Sequence, residues 1–325
     1  MYMKKFLLLL LAVQLFGVQL LGAQDSLETF ENSLVEFIDD DSGREIVFQL
    51  SSLPGTKLLF TQRYTVPFLE GSDPLTEDNN IAFALTAELS PVSINGIAET
   101  VWTPIAFFQL AAGGRIGSGW SINLFGKEIH GIGINKDDGT GKAVHSGSAF
   151  DGLLWKAHAG FVLQADYAAF APGDWNHVVA RMYHEISYSG YTRAKGNESW
   201  FFVDDDDDQG ENVNGFIYYG NLFIGYQMPI ILDMIGILTE AQLYLYDTPN
   251  RSSWGDERIR WKFALVGNIA FNEQFSMALL LQFRTVRNYR EPDWEELYYR
   301  NRTIDKSRPV RFAFFQAALA ATYKL

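Results

Sequence analysis

Between Arg258 and Phe271 the chain alternates strictly. Ile259, Trp261, Phe263, Leu265, Gly267, Ile269 and Phe271 occupy one parity, and Arg258, Arg260, Lys262, Ala264, Val266, Asn268 and Ala270 the other. Successive side chains of a β-strand point to opposite faces. Such a strand has one wholly apolar face and one face carrying three cations, so it must separate an oily surrounding from a polar one.

The pattern recurs. Leu153, Trp155, Ala157, Ala159, Phe161, Leu163 and Ala165 oppose Lys156, His158, Gln164 and Asp166. Ile81, Phe83, Leu85, Ala87 and Leu89 oppose Thr86 and Glu88. Ala241, Leu243 and Leu245 oppose Glu240 and Gln242, and Ile116, Trp120, Ile122 and Leu124 oppose Arg115, Asn123 and Lys127. Alternation alone also fits a soluble β-sandwich. Three features favour a transmembrane barrel. Many segments exceed the usual strand of about 5–6 residues and reach the roughly 9–11 that a tilted strand needs to cross a bilayer. Aromatics such as Trp102, Trp155, Tyr188, Tyr226, Tyr244, Tyr246 and Tyr323 fall at segment ends, where barrels carry interfacial girdles. Connectors alternate between tight turns and long polar loops.

Working back from the C-terminus, this reading places strands at 310–324, 275–287, 257–271, 233–246, 215–228, 177–190 and 153–169. Further strands fall near 115–126, 105–112, 93–103, 80–90 and 56–67. The expected fold is an all-β antiparallel transmembrane barrel of about twelve strands, within a range of ten to fourteen. Merging 93–112 lowers the number and using 44–52 raises it. The long loops are 128–152, 191–214 and 288–308.

The N-terminus adds the compartment. Lys4-Lys5 precede an apolar Phe6–Leu21 stretch and a small-residue Gly22-Ala23 site, the pattern of a secretory signal peptide over residues 1–23. Residues 24–55 are expected to form a periplasmic or plug segment, with Leu27, Phe30, Leu34, Phe37 and Ile38 at helical spacing. The barrel is then expected over 56–325. No later stretch is long and apolar enough for a helical span; Gly225–Leu238 is broken by Pro229 and Asp233.

Composition excludes several functions. The net charge of −13 argues against nucleic-acid binding. Zero cysteines exclude disulfides, thiolate metal sites, a thiol nucleophile and a lipid-modified N-terminal cysteine. Forty-eight aromatics and 28 glycines coexist with a mean hydropathy of −0.05, as expected when a greasy face and a charged face average along each strand.

The last fifteen residues, Arg311 to Leu325, place Ala317, Leu319, Ala321, Tyr323 and Leu325 on one parity. They resemble the terminal strand of bacterial outer-membrane β-barrel proteins, although those usually end in Phe or Trp. The resemblance covers architecture over roughly 270 residues and singles out no family. It implies location in the outer membrane, contact with outer-membrane lipids, and insertion by the assembly machinery, which reads the last strand.

With the apolar parity facing lipid, the lumen receives Lys57, Arg63, Glu88, Glu99, Arg115, Lys127, Lys156, His158, Asp166, Arg181, Glu185, Glu240, Arg258, Arg260, Lys262 and Arg284. Arg258, Arg260, Lys262 and Arg284 form a cationic ladder. One reading is a small diffusion channel for small polar solutes, preferring anions. The other is a closed lumen in which these cations pair with the acidic residues, the protein acting structurally or by adhesion through its loops. A lipid hydrolase is disfavoured, because His184 and Ser187 fall on opposite faces of their strand. His130, His145, His158 and His177 lack metal spacing. Asp204 to Asp208 fail the EF-hand pattern and are expected to form a solvated acidic loop. Neither enzymatic activity nor a cofactor is expected.

Overall fold

The computed structural model describes residues 43–52, 55–124, 126–202, 212–245 and 251–325. In chain order its strands are β1 (Gly43–Ser51), β2 (Gly55–Pro67), β3 (Asn80–Leu89), β4 (Ser93–Ile105), β5 (Phe108–Gly119), β6 (Ser121–Leu124), β7 (Lys127–His130), β8 (Ile132–Asp137) and β9 (Ala143–Ser146). They continue with β10 (Leu154–Asp166), β11 (His177–Tyr191), β12 (Trp200–Phe202), β13 (Gly215–Gln227), β14 (Leu232–Tyr244), β15 (Arg260–Ala270), β16 (Phe275–Arg287) and β17 (Val310–Lys324). Twelve of them close into one antiparallel barrel, in the cyclic order β1-β17-β16-β15-β14-β13-β11-β10-β5-β4-β3-β2.

The expected strand number holds, but two strands differ. Residues 108–112 and 115–119 of the two expected strands form one strand, β5, rather than two parted by Gly113-Gly114, and 121–124 form β6 outside the wall. These glycines are mid-wall residues. A Cβ on Gly113 would stand 2.6 Å from the carbonyl of Ala98, and one on Gly114 would stand 2.8 Å from that of Lys156. They permit close backbone approach instead of a turn. The missing strand is supplied by β1, which pairs with β2 on one side and β17 on the other. The barrel therefore begins at Gly43 rather than at 56. The expected signal peptide, the proposed helix over 24–38 and Asp204–Asp208 lie outside the described residues.

Parity sorts the wall as alternation requires. Phe83, Leu85, Ile116, Trp155, Phe161, Ile186, Leu222, Ile237, Leu265 and Leu279 are exposed on the outer face. Outward rings cluster near the strand ends, as Trp155–Tyr188–Phe216 at one rim and Phe68–Trp102 and Phe271–Phe275 at the other.

The final strand carries a bulge. Its register against β16 slips between Gln282/Gln316 and Phe283/Phe314. Phe312 and Phe314 thus face outward above the slip, and Leu319 shares the outer face with Tyr323 below it. The extra residue, Phe315, is buried inside.

The four longest connections gather at one rim and fold into a cap. Residues 120–153 contribute the β6–β7 hairpin together with β8 and β9, and β12, from the connection after β11, adds to β8. Ile132, Leu154, Tyr191, Trp200 and Phe202 form its core at 0–1% exposure. Asn301 donates to Asp137 at 2.7 Å, Tyr298 N to the Gly141 carbonyl at 2.9 Å, and Ile304 N to the Ser253 carbonyl at 2.7 Å. Four long connections are therefore one interlocked body. Both chain ends of the barrel lie at the opposite rim, where Ala106-Phe107 and Pro229–Ile231 make tight turns.

Candidate lumenal site

Alternation delivers the charged residues to the interior, but their neighbours divide it into a packed side and an open side. On the packed side Val179, Phe223, Met234, Leu238, Ala264, Val266, Leu280 and Ala318 form an apolar cluster. A second cluster, Val47, Leu59 and Ala320, touches Ala278, which also packs against the first. The Phe223 ring fits because Gly225 and Gly236 flank it; a Cβ on either would stand 2.5–2.6 Å from its ring atoms. Several polar groups buried beside these clusters are paired. Gln316 donates to Gln282 at 3.0 Å and Gln282 to Glu240 at 2.6 Å. Glu88, 1% exposed, accepts from Lys57 at 3.1 Å, Arg115 at 3.0 Å and Asn95 at 2.6 Å. This carboxylate holds two buried cations, whose desolvation would otherwise cost several kcal/mol each.

On the open side, small residues (Ala82, Ala84, Ala111, Gly114) line the wall of β3 to β5 and leave a chamber of about 200 Å³. Its lining runs from Trp200 and Asn212 in the cap to Ala82 and Val101, near the opposite rim. Arg63, Arg115, Lys156, Arg181 and Lys262 face Glu99, Glu185 and Glu240 across it, a formal excess of cations. His158 Nε2 lies 2.9 Å from Glu99, Lys156 3.2 Å from Glu185, and Tyr183 donates to Glu185 at 2.7 Å. Tyr219 donates to Glu240 at 2.9 Å. The lining is thus a set of linked charge pairs carried on rigid strands, able to bind and order small polar molecules.

Of the residues proposed from sequence, Arg63, Glu99, Arg115, Lys156, His158, Arg181, Glu185, Glu240 and Lys262 meet at this chamber. The rest do not. Arg258 precedes β15 in the loop, 3.7 Å from Glu257, because β15 starts only at Arg260. Arg260 lies over the Tyr244 ring at 4.6 Å, and Arg284 over Phe315 at 4.1 Å. The ladder is broken: Lys262 alone of its members lines the chamber, 5.4 Å from that same Phe315 ring. The bulge that turns Phe315 inward was not legible from parity. Asp166 sits at the rim, 2.6 Å from His177. Lys127 belongs to the β6–β7 hairpin, outside the wall. His184 faces outward, 2.6 Å from the Tyr218 hydroxyl, whereas Ser187 faces the chamber, so no His–Ser pair forms.

Sequence reasoning passed over the uncharged lining. Tyr183, Tyr219 and Asn221 share the inward parity of Arg181 and Glu185 on their paired strands and were findable by it. Trp200 and Asn212 arrive from a loop, where no period exists to follow.

The chain matches no protein-family model and no curated protein. Among solved structures it resembles the KdgM porin, at 8% identity, with 87% of this chain and 99% of that one covered and a TM-score of 0.34. It also resembles the NanC porin, at 6% identity over 87% and 100% of the two chains and a TM-score of 0.40. A third is the beta domain of the Bordetella autotransporter BrkA, at 8% identity over 88% and 100% and a TM-score of 0.40. All three matches are low in identity and in TM-score, and the barrel architecture rests on the chain's own closed twelve-stranded ring.

Proposed function

We propose that the protein is a bacterial outer-membrane barrel that passes small polar solutes along an eccentric path on the β3–β5 and β10–β11 side of its lumen. The observation that carries this reading is the chamber itself, whose ionisable lining extends from the cap toward the far rim while the rest of the lumen is packed. A wall charged inside and apolar outside supports placement in a bilayer. The cationic excess along the path supports a mild preference for anions, and rings of such side chains set selectivity in pores.

Planar-bilayer conductance tests this. Wild type is expected to show small, anion-leaning conductance, and Lys156→Glu to shift the reversal potential in a salt gradient toward cations. Arg260→Glu, off the path, is expected to change it much less. A folded protein that never conducts rejects the channel.

The second reading, a non-conducting barrel acting through its cap, is favoured by one specific observation: four long connections are joined by backbone and side-chain bonds into one ordered surface. In that case cap variants alter contact with other surfaces and leave no conductance to change.

A further inference from the structure

His184 stands on the wrong side of the wall for a polar residue. It is the eighth of the fifteen residues of β11, at mid-wall, on the outward parity of Val178 and Ile186, which are 45% and 54% exposed. Its Nδ1 lies 2.6 Å from the Tyr218 hydroxyl of β13, and the Phe161 ring of β10 lies 5.1 Å from its own. Gly220, opposite His184 in register, makes room for that bond. A Cβ there would stand 2.8 Å from the Tyr218 hydroxyl oxygen and 3.2 Å from Nδ1. Among the described residues nothing bonds to the second ring nitrogen, Nε2, and both His184 and Tyr218 are only half-buried. A polar group turned toward hydrocarbon without a partner is costly, and such groups in membranes face protein or water instead.

Whichever nitrogen carries the proton, the pair offers one donor and one acceptor to the outside. If Tyr218 donates to Nδ1, the Nε2–H is the remaining donor and the phenol oxygen the acceptor. If Nδ1–H donates to Tyr218, the phenol O–H is the donor and Nε2 the acceptor. The two groups sit side by side on neighbouring strands. A two-fold axis parallel to the barrel axis therefore sets each copy's donor against the other's acceptor, the self-complementarity of an isologous contact. Ala241 lies opposite Gly220 and Ala159 opposite Ile186, so small outward residues on both flanks let two walls approach. We infer that the outer face of β11 and β13 is the contact through which two copies of this chain pair in the membrane, joined by reciprocal His184–Tyr218 hydrogen bonds. A lipid tail fills the same shallow surface and supplies neither donor nor acceptor. The inference rests on the wall lying in a bilayer, as proposed above, and not on conduction.

The chain has no cysteine, so single substitutions report the contact cleanly. Leu222→Cys, two residues along β13 from Gly220 on the same face, is expected to give an intermolecular disulfide on oxidation in lipid vesicles. Leu58→Cys, outward on β2 and six strands round the barrel, is expected to give far less. The monomer–dimer equilibrium is read by energy transfer between labelled copies as the protein is diluted in lipid. His184→Phe and Tyr218→Phe keep the rings, and each removes both reciprocal bonds. Each is expected to shift the equilibrium roughly tenfold toward monomer. Retained folding of both variants is checked by heat-modifiable migration on gels. Protein that enters vesicles and stays monomeric, equal cross-linking at the two positions, or a dimer unmoved by both substitutions overturns the contact and leaves the membrane placement standing. Folded protein that does not enter vesicles removes both.

Discussion

Glu88 shows how far a single carboxylate can organise a lumen. It is completely surrounded by protein and receives hydrogen bonds from Lys57, Asn95 and Arg115, which come from three other strands. Removing one partner from a buried ionic cluster leaves uncompensated charge and costs about 3–5 kcal/mol. Glu88→Ala is therefore expected to lower barrel stability by that amount, read as a shift in the urea midpoint of the heat-modifiable folded form. A shift below about 1 kcal/mol would show that water reaches Lys57 and Arg115. The pairing itself was foreseeable only in kind. Parity puts Glu88 and Lys57 inside, but which carboxylate meets which cation depends on register, and β2 and β3 pair Leu59, not Lys57, opposite Glu88.

At the scale of elements, the cap depends on ring packing that a charge would disturb. His145 on β9 packs against Phe201 at 4.7 Å and lies 6.3 Å from His130. Burial, and then the neighbouring imidazole, depress its pKa to about 4. The sign follows from the neutral form being the one that packs. In the unfolded cap the ring takes up its proton near pH 6.5, in the folded cap only near 4. The stabilisation is complete above about 6.5 and is lost as pH falls toward 4. Protease cleavage or hydrogen exchange within residues 132–146 is expected to rise across that window. His145→Phe is expected to flatten the pH dependence; an unchanged profile would move the sensitivity elsewhere. Here sequence reasoning saw only a long polar loop, because strands of three to six residues are too short to display a period.

For the whole molecule the deciding property is that each wall strand presents two unlike faces, one apolar and one polar. Leu265, mid-strand on β15 and 55% exposed, faces outward next to the inward Val266. An outward cation near the bilayer midplane costs about 2–4 kcal/mol. Leu265→Arg is expected to destabilise the barrel by that amount in lipid vesicles, with urea unfolding as the measurement. An unaffected midpoint would mean that this face meets water or another protein. The same two-sidedness explains the acidic total charge: a lumen lined by Arg63, Arg115, Lys156, Arg181 and Lys262 is compatible with a chain of −13 overall.

The alternation of side chains is a local property, and it determined the barrel class, the outer and inner faces, and the inward placement of Arg115, Lys156, Arg181, Glu185, Glu240 and Lys262. Period-two geometry leaves a wall residue little choice of side. Tertiary structure alone decided that β1 closes the ring against β17, that Gly113-Gly114 lie within a strand, and that Phe315 is turned inward to meet Arg284 and Lys262. It also decided that half the lumen is packed while a chamber stays open beside β3 to β5. Those outcomes depend on register, on a bulge and on the volumes of facing residues drawn from distant strands, none of which is encoded in any one segment.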